Sequence, residues 1–90
     1  PERKGGGYDF IRCEIDDWIN GNVTVKTDKG VFQFENCFKF YKLDDGKLQI
    51  SVFKNGSIKI FVLRYSEFPN IFACYSYICN LIGRELVKGC

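Results

Sequence analysis

Lys39, Tyr41, Phe53, Lys59 and Phe61 are the residues of this chain whose types and alternating spacing could do chemistry, and that chemistry is recognition. Rings interleaved with ammonium groups, with Gln49 and Ser51 between them, are what stacking on bases and neutralising phosphates require. Bond-making chemistry has less to work with. The chain contains no His, which removes the usual general base, zinc ligand and triad orienter together. Asp16-Asp17 and Asp44-Asp45 are adjacent carboxylates that point apart, and turn chemistry accounts for the second pair. Cys13, Cys37, Cys74, Cys79 and Cys90 match no zinc spacing, and no base accompanies them. Gly5-Gly6-Gly7 lacks the following Lys and helix of a phosphate-cradling loop. The expectation is a non-enzymatic binding domain with no catalytic residue, no metal ligand and no cofactor.

Three glycine turns must position those side chains: Asp28-Lys29-Gly30, Asp44-Asp45-Gly46 and Lys54-Asn55-Gly56. Gly at the last place supplies the positive φ that tight hairpin loops demand. If Asp44-Asp45-Gly46 is a three-residue loop, Leu43 faces Lys47, Phe40 lies opposite Ile50 and Phe38 opposite Val52. The same length at Lys54-Asn55-Gly56 pairs Phe53 with Ser57, Val52 with Ile58, Ile50 with Ile60 and Leu48 with Val62. A two-residue Asn-Gly turn would instead oppose Val52 to Lys59. A slip of one residue turns every side chain to the other face, so the hydrophobic pattern predicts the longer loop. The first turn needs an even loop, such as Lys29-Gly30, to set Val23 and Val25 on the face of Phe34 and Phe32.

This register sorts the residues into two faces. Phe38, Phe40, Leu48, Ile50, Val52, Ile58, Ile60 and Val62 form an uncharged core face. The opposite face carries three rows: Cys37, Phe53 and Ser57; Lys39, Ser51 and Lys59; and Tyr41, Gln49 and Phe61. The core needs a lid. Ser66 can cap a helix with Pro69 in its first turn, and Phe68, Ile71, Phe72, Tyr75, Ile78, Cys79 and Ile82 recur at helical spacing. Gly83 is placed to end it. Upstream, Tyr8 to Ile15 alternates as a strand, Asp16 or Asp17 can cap one helical turn, Trp18 plugs the sheet's end, and Asn22 to Thr27 forms the next strand. The fold class is therefore α+β, an antiparallel meander of about five strands packed on one C-terminal α-helix. Residues 1–7 read as a flexible linker and 8–90 as a single domain.

A formal charge of +2 and a pI near 8.4 point to nucleic acid only through local clustering, which Lys39, Lys42, Lys47, Lys54 and Lys59 provide on the central hairpins. A mixed face of this kind also suits plain solvated surface or a protein partner. No run approaches transmembrane length and the start does not read as a signal peptide, so no membrane partner is expected. Reduced thiols in the cytoplasm or nucleus are the first reading. A small secreted protein with disulfides is the third functional option, because Asn22-Val23-Thr24 and Asn55-Gly56-Ser57 are glycosylation sequons.

The run Phe38 to Gly83 resembles the latter part of one repeat of the TATA-binding protein family. The pieces that carry the likeness are Leu48-Gln49-Ile50-Ser51-Val52-Phe53-Lys54-Asn55-Gly56-Ser57-Ile58-Lys59-Ile60, then Ser66-Glu67 opening the helix and Leu81-Ile82-Gly83 closing it. The resemblance implies a sheet whose concave face widens a TATA minor groove, with phenylalanines wedged between base steps and helices on the far side. Phe53 stands at one wedge position. The other falls near Phe38, which the register places in the core. A full saddle takes two repeats, implying a homodimer or a place in a longer polypeptide. The leading expectation is thus nucleic-acid binding through Lys39, Tyr41, Gln49, Ser51, Phe53, Lys59 and Phe61. The alternative is a protein-interaction module of viral or parasite type, docking through that face or a sheet edge.

Overall fold

The computed structural model describes residues 11–88. The linker 1–7, the strand start at Tyr8 and Cys90 lie outside the described residues. The chain runs through β1 (Ile11–Asp17), β2 (Asn22–Thr27), β3 (Gly30–Phe34), β4 (Phe38–Lys42), β5 (Lys47–Lys54) and β6 (Ser57–Arg64) into α1 (Ile71–Val87). Single 3₁₀ turns occupy Asp44–Gly46 and Tyr65–Glu67. The architecture is α+β with antiparallel sheets and one C-terminal helix, as the sequence predicts. Its strands, however, form two three-stranded sheets, β1-β2-β3 and β4-β5-β6, rather than one five-stranded meander.

The break falls between Phe34 and Phe38. Asn36 adopts a left-handed φ of 51°, a conformation that Asn tolerates better than most residues and that redirects the chain. Cys37 then ties the sheets together. Its N–H donates to Gly21 O at 2.9 Å, its carbonyl accepts from Phe53 N at 2.8 Å, and its thiol donates to Gly21 O at 3.2 Å. Burial pushes this thiol up to about 11.

Two of the three hairpins form on the expected faces. Val23 pairs with Phe34 and Val25 with Phe32, through an even loop that is Asp28-Lys29 rather than Lys29-Gly30. Phe38 pairs with Val52 and Phe40 with Ile50, and Leu43 N donates to Lys47 O at 2.8 Å across the three-residue loop. The third hairpin overturns the prediction. Lys54 pairs with Ser57, so the turn is the two-residue Asn55-Gly56, and Phe53 faces Ile58, Val52 faces Lys59 and Ile50 faces Phe61. Both turn residues have positive φ, 51° and 81°, the type I′ geometry whose twist matches the flanking strands. Local turn chemistry won over aliphatic patterning. The inward side of β6 is still served, because Phe61 and Leu63 pack against the core.

The helix also differs at both ends. Ser66 lies in the 3₁₀ turn, and the cap is Asn70, whose Oδ1 accepts from Ala73 N at 2.9 Å. The buried stripe is Cys74, Ile78, Ile82, Gly83 and Leu86, whereas Phe72 is 79% exposed. Gly83 does not end the helix. It lets α1 approach β1, since a Cβ there would stand 2.7 Å from Cys13 Cβ. Alanine normally favours a helix interior over glycine by about 1 kcal/mol. At this position Gly83→Ala is expected to lower stability instead, by about 1 to 2 kcal/mol, because the clash outweighs propensity; urea unfolding measures the sign.

Core residues come from all three layers: Val23 and Val25, then Phe38, Leu48, Ile50 and Val52, then the helix stripe. Trp18 closes one end, with ring centroids 5.7 Å from Phe38, 5.3 Å from Phe40 and 5.4 Å from Tyr75. The turn carrying it is not helical. Asp17 accepts from Ile19 N at 3.0 Å, Asn20 N at 3.1 Å and Asn20 Nδ2 at 2.7 Å. These bonds to Asn20 and Ile19 hold its carboxyl below the ordinary 3.8.

Candidate functional site

Strand pairing decides which residues share the outward face of β4-β5-β6. Side chains alternate across a strand, and Leu48, Ile50 and Val52 are buried in the core. Lys47, Gln49, Ser51 and Phe53 of β5 therefore point away from the helix. Their partners complete the rows. Phe53 lies beside Ile58; Ser51 lies between Lys39 and Ile60; Gln49 lies between Tyr41 and Val62; and Lys47 lies beside Arg64.

Five of the seven predicted site residues share this face: Lys39, Tyr41, Gln49, Ser51 and Phe53. Lys39 is exposed, Tyr41 is 43% exposed, Gln49 and Phe53 are half-buried, and Ser51 in the central strand is buried. Lys59 and Phe61 do not join them, because the shorter turn rotates β6 by one residue. Lys59 faces Val52 on the helix side, bordering a shallow depression with Lys54, Glu85 and Lys88. That row lies at the turn end of the hairpin, where a lysine stem can follow apolar surface while its ammonium reaches water. Phe61 lines a cleft with Ile11, Tyr77 and Leu81.

In their place stand Ile58, Ile60 and Val62, expected in the core and instead 61%, 59% and 54% exposed. Sequence reasoning also missed Lys47 and Arg64. The Asn-Gly dipeptide, the strongest short-range mark of a two-residue hairpin, could have found Ile58, Ile60, Val62 and Arg64, and the alternation of Lys47 with Gln49, Ser51 and Phe53 along β5 could have found Lys47.

The electrostatics of this face are one-sided. Lys47 and Arg64 are direct cross-strand partners, an arrangement that costs stability unless something negative lies across it. None of the outward positions on these strands carries a carboxylate; Asp44 and Asp45 belong to the loop beyond the last row. The outward face of the other sheet is different. There Arg12 faces Lys26, Glu14 faces Thr24, and Thr24 Oγ1 donates to Asp16 Oδ2 at 2.5 Å, a mixed-charge surface suited to water.

Among the described residues, no group of three or more His, Cys, Asp and Glu side chains could hold a metal ion. No helix among them is long and apolar enough to cross a membrane. No protein-family model matches this chain, and no curated protein or solved structure matches it either.

Proposed function

We propose that this is a non-enzymatic nucleic-acid-binding domain that lays the outward face of β4-β5-β6 on a duplex. The observation that carries the reading is the acid-free face itself, with exposed aliphatic side chains beside a Lys47–Arg64 pair. Apolar groups at a minor groove contact sugars and wedge between base steps, while amide side chains read base edges. Ile58, Ile60, Val62 and Phe53 are suited to the first task and Gln49 to the second. Lys39, Lys47 and Arg64 supply charge for phosphates. The resemblance at Phe53 agrees with this division of labour, and the cytoplasm or nucleus is where such a ligand is met.

Titration of a labelled A·T-rich duplex, followed by fluorescence anisotropy over about 50 to 200 mM salt, tests the proposal. Three phosphate-neutralising cations give a slope of log K against log salt of about −3. A flat salt response, or no duplex binding at the low-salt end, would end the reading.

One observation favours a second reading. Among the described residues β6 is an edge strand with no further strand beside it, and its three exposed aliphatic residues invite a partner's strand. A protein complex that survives nuclease treatment and high salt would support this alternative.

A further inference from the structure

Two thiols that the proposed interface does not use are held together where β1 crosses α1. Cys79 Sγ donates to Cys13 O at 2.8 Å, and each thiol is the largest single influence on the other's pKa. Gly83 lies one helical turn beyond Cys79, and a Cβ on it would stand 3.3 Å from Cys13 Sγ. The Cys13 side chain is thus lodged against the helix face that carries residues 79 and 83. Both thiols are half-buried, whereas Cys74 is fully buried and Cys37 is buried with its thiol bonded to Gly21 O. Among the described cysteines these two, 66 positions apart in the chain, combine proximity with access.

We propose that Cys13 and Cys79 form a disulfide when oxidised by a low-molecular-weight disulfide such as glutathione disulfide, a covalent modification that locks β1 to α1. The Cys79 thiolate attacks one sulfur of glutathione disulfide and expels one glutathione thiolate, which takes up a proton. Cys13 then gives its proton to solvent, and its sulfur attacks the Cys79 sulfur of the mixed disulfide, expelling the second glutathione. Two protein thiols are oxidised to one disulfide and one glutathione disulfide is reduced to two thiols. The neighbouring Cys13 lowers the Cys79 pKa, while Cys79 and burial raise that of Cys13; the exchange balances in the same way whichever thiol attacks first.

The test is incubation of the full chain with glutathione disulfide, alkylation under denaturing conditions, and mass analysis of intact protein and tryptic peptides. The expected result is loss of two alkylatable thiols without retained glutathione, and a cross-link between the peptide starting at Cys13 and the peptide containing Cys74 and Cys79. Fragmentation of that pair assigns the bond to Cys79. In Cys13→Ser the expected product is glutathione retained on Cys79. Persistence of all free thiols, glutathione retained on the unsubstituted chain, or a cross-link through Cys37, Cys74 or Cys90 would overturn the proposal.

Discussion

Gly21→Ala is expected to lower the unfolding free energy by about 3 kcal/mol, combining overpacking of a dense site with a left-handed side-chain penalty. Gly21 has φ 74°, and a Cβ built on it would stand 2.4 Å from Phe38 O and 3.1 Å from Phe38 N. The obstacle is backbone, so no rotamer change relieves it. Relief would require moving the start of β4, whose neighbour Cys37 is bonded to Gly21 O through both its N–H and its thiol. This junction joins the two sheets. For a domain of this size the change corresponds to a fall in Tm of roughly 15 °C or more. Gly46→Ala is the matched control, because its φ is 70° and nothing lies within 4 Å of its added Cβ. Its expected cost is about 1 kcal/mol, the conformational penalty alone. Fluorescence of Trp18, the single Trp, packed on Phe38, Phe40 and Tyr75, reports both transitions.

The second large effect concerns binding. Ile60→Glu removes an aliphatic side chain from the middle of the outward face and sets a carboxylate beside Ser51, toward the approaching phosphates. The lost apolar contact alone is worth about 2 kcal/mol, or roughly 30-fold in duplex affinity, and charge repulsion adds to it. Folding stability should change by less than about 0.5 kcal/mol, since the position is surface-exposed. Lys59→Ala is expected to leave affinity within about twofold, because its ammonium sits across the sheet and is screened by solvent. The contrast is sharp, since the longer turn would make Lys59 the contact residue and Ile60 a core residue. Anisotropy titrations of both variants at one salt concentration measure it, with unfolding curves to show that each remains folded.

Much of the fold was legible because turn and pattern agreed. At Asp44-Asp45-Gly46 the loop needs a left-handed residue at its last place, where Gly46 has φ 70°, and Asp45 before it is left-handed as well, at 63°. The aliphatic and aromatic residues of β4 and β5 then align without conflict. At Lys54-Asn55-Gly56 the two signals disagreed. Patterning favoured Ile58, Ile60 and Val62 inside; the Asn-Gly pair favoured Lys59 opposite Val52 with Phe61 and Leu63 inside. One lysine near the turn end of a hairpin is cheap, whereas a three-residue loop would forgo a well-matched type I′ turn. That single disagreement exchanged two site residues, Lys59 and Phe61, for four others, Ile58, Ile60, Val62 and Arg64. The division into two sheets was harder to read, because Asn36 carries only a weak left-handed preference and the fastening bonds of Cys37 to Gly21 are long-range. The approach of Gly83 to Cys13 is equally non-local. Helix spacing alone presents Gly83 as a terminator, and only the nearby strand reveals it as a packing contact.

The Asn55-Gly56 turn sends Ile58, Ile60 and Val62 outward, and we propose that these three residues form the centre of the duplex-binding surface. A methyl-resolved NMR titration with an A·T-rich duplex tests this most directly. Shifts or broadening are expected at Ile58, Ile60 and Val62, with Leu48, Ile50 and Leu63 nearly unmoved. Perturbation confined to α1 or to the helix side of β6, leaving those three outward methyl groups unchanged at saturating duplex, would contradict it.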